Sequence, residues 1–170
     1  LKISVVENGE IEAYEAVLNT HLNSIFGQGS TVNFNHEFVC AVLIEDESQV
    51  VATGFAYSRL MSQGSTSFKA GIVGGIAVVP NKRGLGLAKT IVKELDKYLV
   101  SFGVTHSFLF AYNPEVYRSS GYLELLIPIH YFDIRQKNWN EFVYRGGMVK
   151  TYKGSHVLSN QVIEFNGCVY

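Results

Sequence analysis

The chain predicts an α/β (α+β) fold: a mixed, mostly antiparallel twisted sheet flanked by helices. Three features of the sequence carry that expectation. The β-rich runs 37–45, 49–61 and 67–79 follow one another across short turns, as antiparallel hairpins do. The last run ends at Pro80 and passes into a long amphipathic pattern over residues 87–102. Another β-rich run, 105–112, comes straight after that helix, which implies a right-handed crossover into the same sheet.

In order along the chain, residues 2–6 alternate enough for a first strand. Ile11, Tyr14, Leu18, Leu22 and Ile25 then recur at steps of three and four, so residues 10–26 are expected as an amphipathic helix. Residues 28–35 are polar and contain glycine, and read as a loop. Asp46, Glu47 and Ser48 separate the first two β-runs, and residues 64–66 turn into the third. Pro80 ends that run, having no amide for a ladder hydrogen bond. The following helix is expected to bury Leu87, Ile91, Leu95, Tyr98 and Phe102, with Lys89, Lys93, Glu94 and Lys97 on its wet side. Gly103 is its natural stop. A short helical turn at 114–119, a long strand at 122–134 and further strands at 141–152 and 161–169 complete the expectation.

Composition narrows the function classes without naming one. The 170 residues, 47% hydrophobic and 17% charged, fit a single globular domain spanning 1–170. Fourteen basic against 15 acidic residues leave a formal net charge of −1, without the basic footprint of a general nucleic-acid binder or of a protein held on anionic membranes. No apolar stretch approaches the roughly 20 residues of a spanning helix, and Glu7, Glu10 and Glu12 interrupt any signal-peptide core. A cytoplasmic protein is expected. Cys40 and Cys168 lack the spacing of a metal site and read as two buried thiols.

Residues 75–90 hold most of the functional information: a strand runs through Pro80 into a basic, glycine-containing turn and then a helix. Free amides at a helix N-terminus attract anions, and glycines let a pyrophosphate approach the backbone. Lys82, Arg83 and Lys89 gather positive charge there. A P-loop needs glycine immediately before Lys89 and another five residues earlier, where Ala88 and Arg83 stand. A dinucleotide fingerprint starting at Gly84 needs a third glycine at Lys89. Both readings fail.

The pattern that fits is Arg/Gln-x-x-Gly-x-Gly/Ala, met by Arg83, Gly86 and Ala88. Here the chain resembles the GNAT N-acetyltransferase superfamily. Asn113-Pro-Glu-Val-Tyr117-Arg-Ser-Ser-Gly121-Tyr122 resembles that family's later signature, an Asn before a short helix carrying Tyr, then Gly-Phe/Tyr opening a strand. The resemblance implies the GNAT acyl-CoA N-acyltransferase fold and acetyl-CoA as cosubstrate, with residues 68–122 as the binding core. It implies that Arg83, Gly84, Leu85, Gly86, Leu87, Ala88 and Lys89 hold the pyrophosphate. Ile76, Ala77 and Val78 would pair with the pantetheine arm, and Asn113 would also contact the cofactor. The Val78 amide would face the thioester oxygen, and Tyr117 would protonate the departing thiolate; a phenol near ~10 and a thiol near ~8.5 are close enough in pKa to share a proton.

No general base stands out among Glu37, Glu124, His106 and His130, and Gly74 and Gly75 occupy a stretch where many relatives carry an acid. The strand-rich segment 123–170 is expected on the acceptor side, with Tyr170 near a cationic amine. A narrower resemblance to the aminoglycoside 2'-N-acetyltransferases covers the hairpin ending at Val78 and the tail 164–170, but Gly74 and Cys168 replace acidic positions there. The expected acceptor is therefore a primary amine of a small molecule or amino sugar. A peptide amine, or a catalytically weak acyl-CoA-binding module, are the alternatives. Spare C-terminal strands add an expectation of homodimers.

Overall fold

Three antiparallel strands open the structure: β1 (Lys2–Glu7), β2 (Phe38–Asp46) and β3 (Gln49–Gln63). The computed structural model describes all residues Leu1–Tyr170. It falls into two compact units, Leu1–Tyr57 with Val73–Tyr98, and Ser58–Ile72 with Leu99–Tyr170.

In the first unit, Asp46 pairs with Gln49 across a two-residue turn. Glu47 and Ser48 take φ of 49° and 66°, the positive pair that matches the twist of a tight hairpin. A 3-10 turn (Ile11–Tyr14) leads into α1 (Glu15–Phe26), so the helix expected from residue 10 begins tighter than α. Ile11, Leu18 and Leu22 are buried as expected, and His21 is buried with them. Strand β4 (Thr66–Val78) precedes a 3-10 turn at Pro80–Lys82 and then α2 (Leu87–Ser101). Ile91 and Leu95 of α2 press on Gly54 of β3, where a Cβ would collide with Ile91 Cγ2 and stand 2.8 Å from Ile76 Cδ1. The missing side chain sets how close the helix lies to the strand.

The second unit holds β5 (His106–Phe110), α3 (Glu115–Arg118), β6 (Leu123–Glu124), β7 (Ile129–Asp133), β8 (Asn138–Phe142), β9 (Gly147–Thr151) and β10 (Ile163–Glu164). Its ladder runs β6-β9-β5-β4-β3-β10-β7-β8. β10 and β7 run parallel, whereas β5–β9, β6–β9, β7–β8 and β10–β3 are antiparallel. This is the expected mixed α/β sheet. No helix is long and apolar enough to cross a membrane.

Several element expectations need correction. Leu99 is buried in the α2 stripe, while Phe102 is exposed, because the helix ends at Ser101 and Gly103 turns the chain with φ of 80°. The single strand expected over 122–134 is two, interrupted at Pro128, which has no amide to donate. The run 141–152 also divides, between β8 and β9, where Gly146 takes φ of 85° against the Ala111 carbonyl. Of 161–169 only Ile163–Glu164 joins a ladder. Arg59 holds part of the rest, its Nη1 donating to the carbonyls of Phe165 at 3.1 Å and Cys168 at 2.7 Å. Cys40 is buried as expected, but Cys168 is only half-buried, 3.8 Å from Arg59 Nη2.

Candidate functional site

Each half of the predicted site lies within one unit: Ile76, Ala77, Val78 and residues 83–89 in the first, Asn113 and Tyr117 in the second. In the first, β4 departs from regular pleating at Gly75, whose φ is 61° and whose carbonyl accepts from Thr53 Oγ1 at 3.1 Å. Beyond it the Val79 amide donates to the Val51 carbonyl of β3 at 2.9 Å. Strand residues present amide and carbonyl to alternate edges, so Val78 presents both to the edge away from β3. The Val78 carbonyl there accepts from Arg83 Nε at 3.1 Å, folding the turn back onto the strand end. On the opposite side, the Ala77 carbonyl meets Nε2 of buried His21 at 2.9 Å.

The turn is built to leave its amides open. Lys82 N–H donates to Val79 and Arg83 N–H to Pro80. The amides of residues 84 to 89 find no backbone acceptor, and the first closing bond of α2 is Thr90 N–H to Gly86 at 3.1 Å. These are the orphan donors of a helix start, at the positive end of its dipole. Gly84 and Gly86 take φ of 79° and 78°, a region L side chains avoid. Nothing lies within 4 Å of where their Cβ atoms would stand. A pyrophosphate fits this open backbone cradle. Leu85 and Lys89 are exposed, whereas Leu87 is buried and anchors the helix.

The local charge differs from the expectation in one respect. Lys82 Nζ pairs with Asp46 of the β2–β3 hairpin at 2.6 Å. The hydrogen bond and charge of Lys82 hold the Asp46 carboxyl below the usual carboxylate range. Lys89 makes no ion pair and Arg83 commits only its Nε.

In the second unit, Asn113 is exposed and its carbonyl accepts from Val116 N–H, starting the turn that becomes α3. Tyr117 is half-buried in α3, and burial pushes its phenol above the ordinary tyrosine value. Its hydroxyl makes no hydrogen bond within the chain. Gly121, with φ of 89°, lets the chain reverse into Tyr122, which is fully buried and donates to Ser107 Oγ at 3.0 Å.

The four candidate bases sit in unlike places. His106 is buried, with Nδ1 2.8 Å from Thr105 Oγ1 and Nε2 2.7 Å from the His156 carbonyl. Burial lowers its pKa, and with both nitrogens engaged it is a structural residue. His130 Nδ1 lies 2.6 Å from Glu164 Oε2, and its ring stacks on Trp139 at 5.0 Å. Glu37 is half-buried at the entry to β2, and Glu124 is exposed on β6. Tyr170 lies under the Arg59 guanidinium, 5.6 Å from its ring centre, so the tail's aromatic end already has a cation.

A family model for the acetyltransferase (GNAT) domain matches residues 31–124, more than half of the chain and the whole of both signature segments. The chain belongs to the GNAT acetyltransferase family. No curated protein matches this GNAT chain in sequence. Solved structures share its fold. A GNAT-family N-acetyltransferase from Escherichia coli in complex with CoA superimposes with a TM-score of 0.63 at 15% identity, over 96% of this chain and 88% of that one. A GNAT-family acetyltransferase from Brucella melitensis in complex with acetyl-CoA gives 0.62 at 12%, over 95% and 94%. Eis1 from Mycobacterium abscessus gives 0.63 at 14%, over 76% of this chain but 33% of its own. The chain thus spans about a third of the length of Eis1 and of several other structures it matches.

Sequence reasoning missed two residues that shape the GNAT turn, His21 and Asp46. A polar residue on the apolar stripe of α1 was the available signal for His21, three positions after Leu18. Nothing local marked Asp46, because its partner comes from another turn.

Proposed function

We propose that this GNAT acetyltransferase moves an acetyl group from acetyl-CoA to the primary amine of a small molecule or amino sugar, by direct attack in a ternary complex. The observation that carries the reading is the 76–89 segment, where a strand end passes into a turn with open amides and two uncluttered glycines inside the family-matched region.

Acetyl-CoA supplies a thioester-activated acetyl group and a thiolate leaving group. Residues 68–122 form the cofactor core of the proposal. The amides of Gly84, Leu85, Gly86, Leu87, Ala88 and Lys89, with the Arg83 guanidinium, bind the pyrophosphate. Ile76 and Ala77 frame the pantetheine arm, with Asn113 as a further contact. The Val78 amide donates to the acetyl oxygen as negative charge develops; a preorganised donor of this kind contributes about 3 kcal/mol. Tyr117 keeps its proton at neutral pH because burial raises its pKa, and gives it to the departing sulfur. The amine sheds its proton to water, and residues 123–170 select the acceptor. The protein works in the cytoplasm, and two copies pair through a sheet edge such as β8, which ends the ladder; a monomer in sedimentation at micromolar concentration removes the pairing.

Thiol release from acetyl-CoA across a panel of small amines, amino sugars and peptides tests the reading. Release with a small amine or amino sugar supports it. Release with peptides alone shifts the acceptor class. Tight acetyl-CoA binding with no release for any amine replaces the enzyme with a binding module.

A further inference from the structure

We infer that His21 is a positioning residue for catalysis, acting through the Ala77–Val78 peptide. The inference rests on the proposed role of the Val78 amide as donor to the acetyl oxygen. His21 Nε2 and the Ala77 carbonyl stand 2.9 Å apart in a buried setting, joining α1 to the last turn of β4. The Ala77 carbonyl and the Val78 amide belong to one planar peptide unit, and in a trans peptide they point in opposite directions. The group that grips the carbonyl therefore sets where the amide points.

Three contacts hold this peptide and the one after it, Val78–Val79, whose two polar groups are tied on opposite edges. Val79 N–H is tied to Val51 on β3. The Val78 carbonyl is tied to Arg83 Nε on the opposite edge. His21 closes the set at the Ala77 carbonyl, with the proton on Nε2. Ala77 is itself 1% exposed and His21 6%, so water does not substitute for the imidazole if it is removed.

The contact also acts electronically. Accepting a hydrogen bond at a peptide oxygen draws density from the nitrogen and makes the N–H a stronger donor, by roughly 10–30% in condensed phase. His21 thus both aims and polarises the Val78 amide. A purely packing role would be met as well by leucine, the residue type at 18 and 22 on the same stripe. Leucine cannot donate, and it would leave the Ala77 oxygen without this partner.

His21→Leu, His21→Gln and, as a control in the same helix, Ser24→Ala test the inference. The glutamine side-chain amide reaches the position of Nε2 and keeps a donor, whereas Ser24 Oγ bonds only the His21 carbonyl of the helix backbone. Steady-state kinetics should show His21→Leu lowering kcat at least tenfold, with KM for acetyl-CoA within twofold. His21→Gln should recover to within threefold of the wild type, and Ser24→Ala should leave kcat unchanged. In the ligand-free protein, the Val78 amide nitrogen resonance should move in His21→Leu and return in His21→Gln. The inference is overturned if His21→Leu keeps kcat within twofold, if glutamine recovers no more than leucine does, or if the Val78 resonance stays put. Should His21→Leu not fold, the His21→Gln resonance and kcat decide alone, and a Gln variant whose kcat falls tenfold or more overturns it. If the wild type acetylates no amine, the acetyltransferase reading fails on its own, and the Val78 resonance still decides whether His21 orients the peptide.

Discussion

The ring of Phe55 fills the space in which any side chain on residue 75 would stand, with Cδ2 and Cε2 nearer to that position than real Cβ atoms approach one another's neighbours. Phe55 is buried, and Gly75 takes φ of 61°. Gly75→Ala thus meets two penalties, a left-handed backbone and an overpacked core, together about 2–4 kcal/mol. For a chain of this size that corresponds to a fall in Tm of roughly 5–15 °C. Thermal unfolding of the variant checks it, and an unchanged Tm would mean that the β4 irregularity is dispensable.

Tyr117→Phe removes one oxygen from a side chain whose hydroxyl has no partner in the chain. Turnover should drop at least tenfold while the dissociation constant for acetyl-CoA holds. The wild-type pH profile carries a second expectation. A phenol pushed above its ordinary value by burial stays protonated, and so usable as an acid, beyond pH ~10. The alkaline limb of kcat should lie above that point and vanish in the phenylalanine variant. A limb unchanged by the substitution assigns it to another group.

Asp46→Asn should loosen the hairpin that holds Lys82 beside the turn. The Asp46 carboxyl is held below the usual range by its hydrogen bond and charge contact with Lys82. A depressed carboxylate adds stability above its unfolded pKa of about 3.9 and loses it as pH falls through the folded value. Wild type should therefore have the higher Tm at neutral pH, with the difference closing below pH ~4. The pair is solvent-accessible, so high salt should also shrink the difference. Equal Tm values at neutral pH and low salt would show that the pair is energetically silent.

Iodoacetamide should separate the two thiols. Burial, and to a lesser extent Glu7, push the Cys40 thiol up to about 12, and the thiolate is the reactive form. Cys168 is half-buried beside Arg59. Mass spectrometry of the folded protein at pH 8 should find one carbamidomethyl group, on Cys168. Label on Cys40 at a comparable rate would reveal opening of the β1–β2 layer.

What the sequence made legible was local. Pro80 and Gly103 mark their stops by their own backbone chemistry, and the β-rich runs of β2 and β3, separated by a short polar turn, need no partner to be recognised. The glycine turn was readable because an anion cradle is made from consecutive residues. Long-range choices were hidden. Residues 122–134 look like one strand until β6 pairs with β9 and β7 with β8 and β10. Phe102 and Leu99 are equally apolar, and only the end of α2 decides which is covered. Lys82 reads as phosphate-facing until Asp46 comes alongside. His21 shows its partner only once α1 is laid against β4.

Arg59 grips the closing segment by its main-chain oxygens at Phe165 and Cys168, and presses where a Cβ on Gly167 would stand. Anchorage through carbonyls is indifferent to the identity of most side chains along that stretch. The path of the tail is therefore set by Arg59, by Gly167 and by Asn166, which takes φ of 59° and donates from Nδ2 to the Leu60 carbonyl at 3.0 Å, and not by the side chain of Val169. Such a segment is free to explore new surface chemistry while its course through the fold is inherited unchanged.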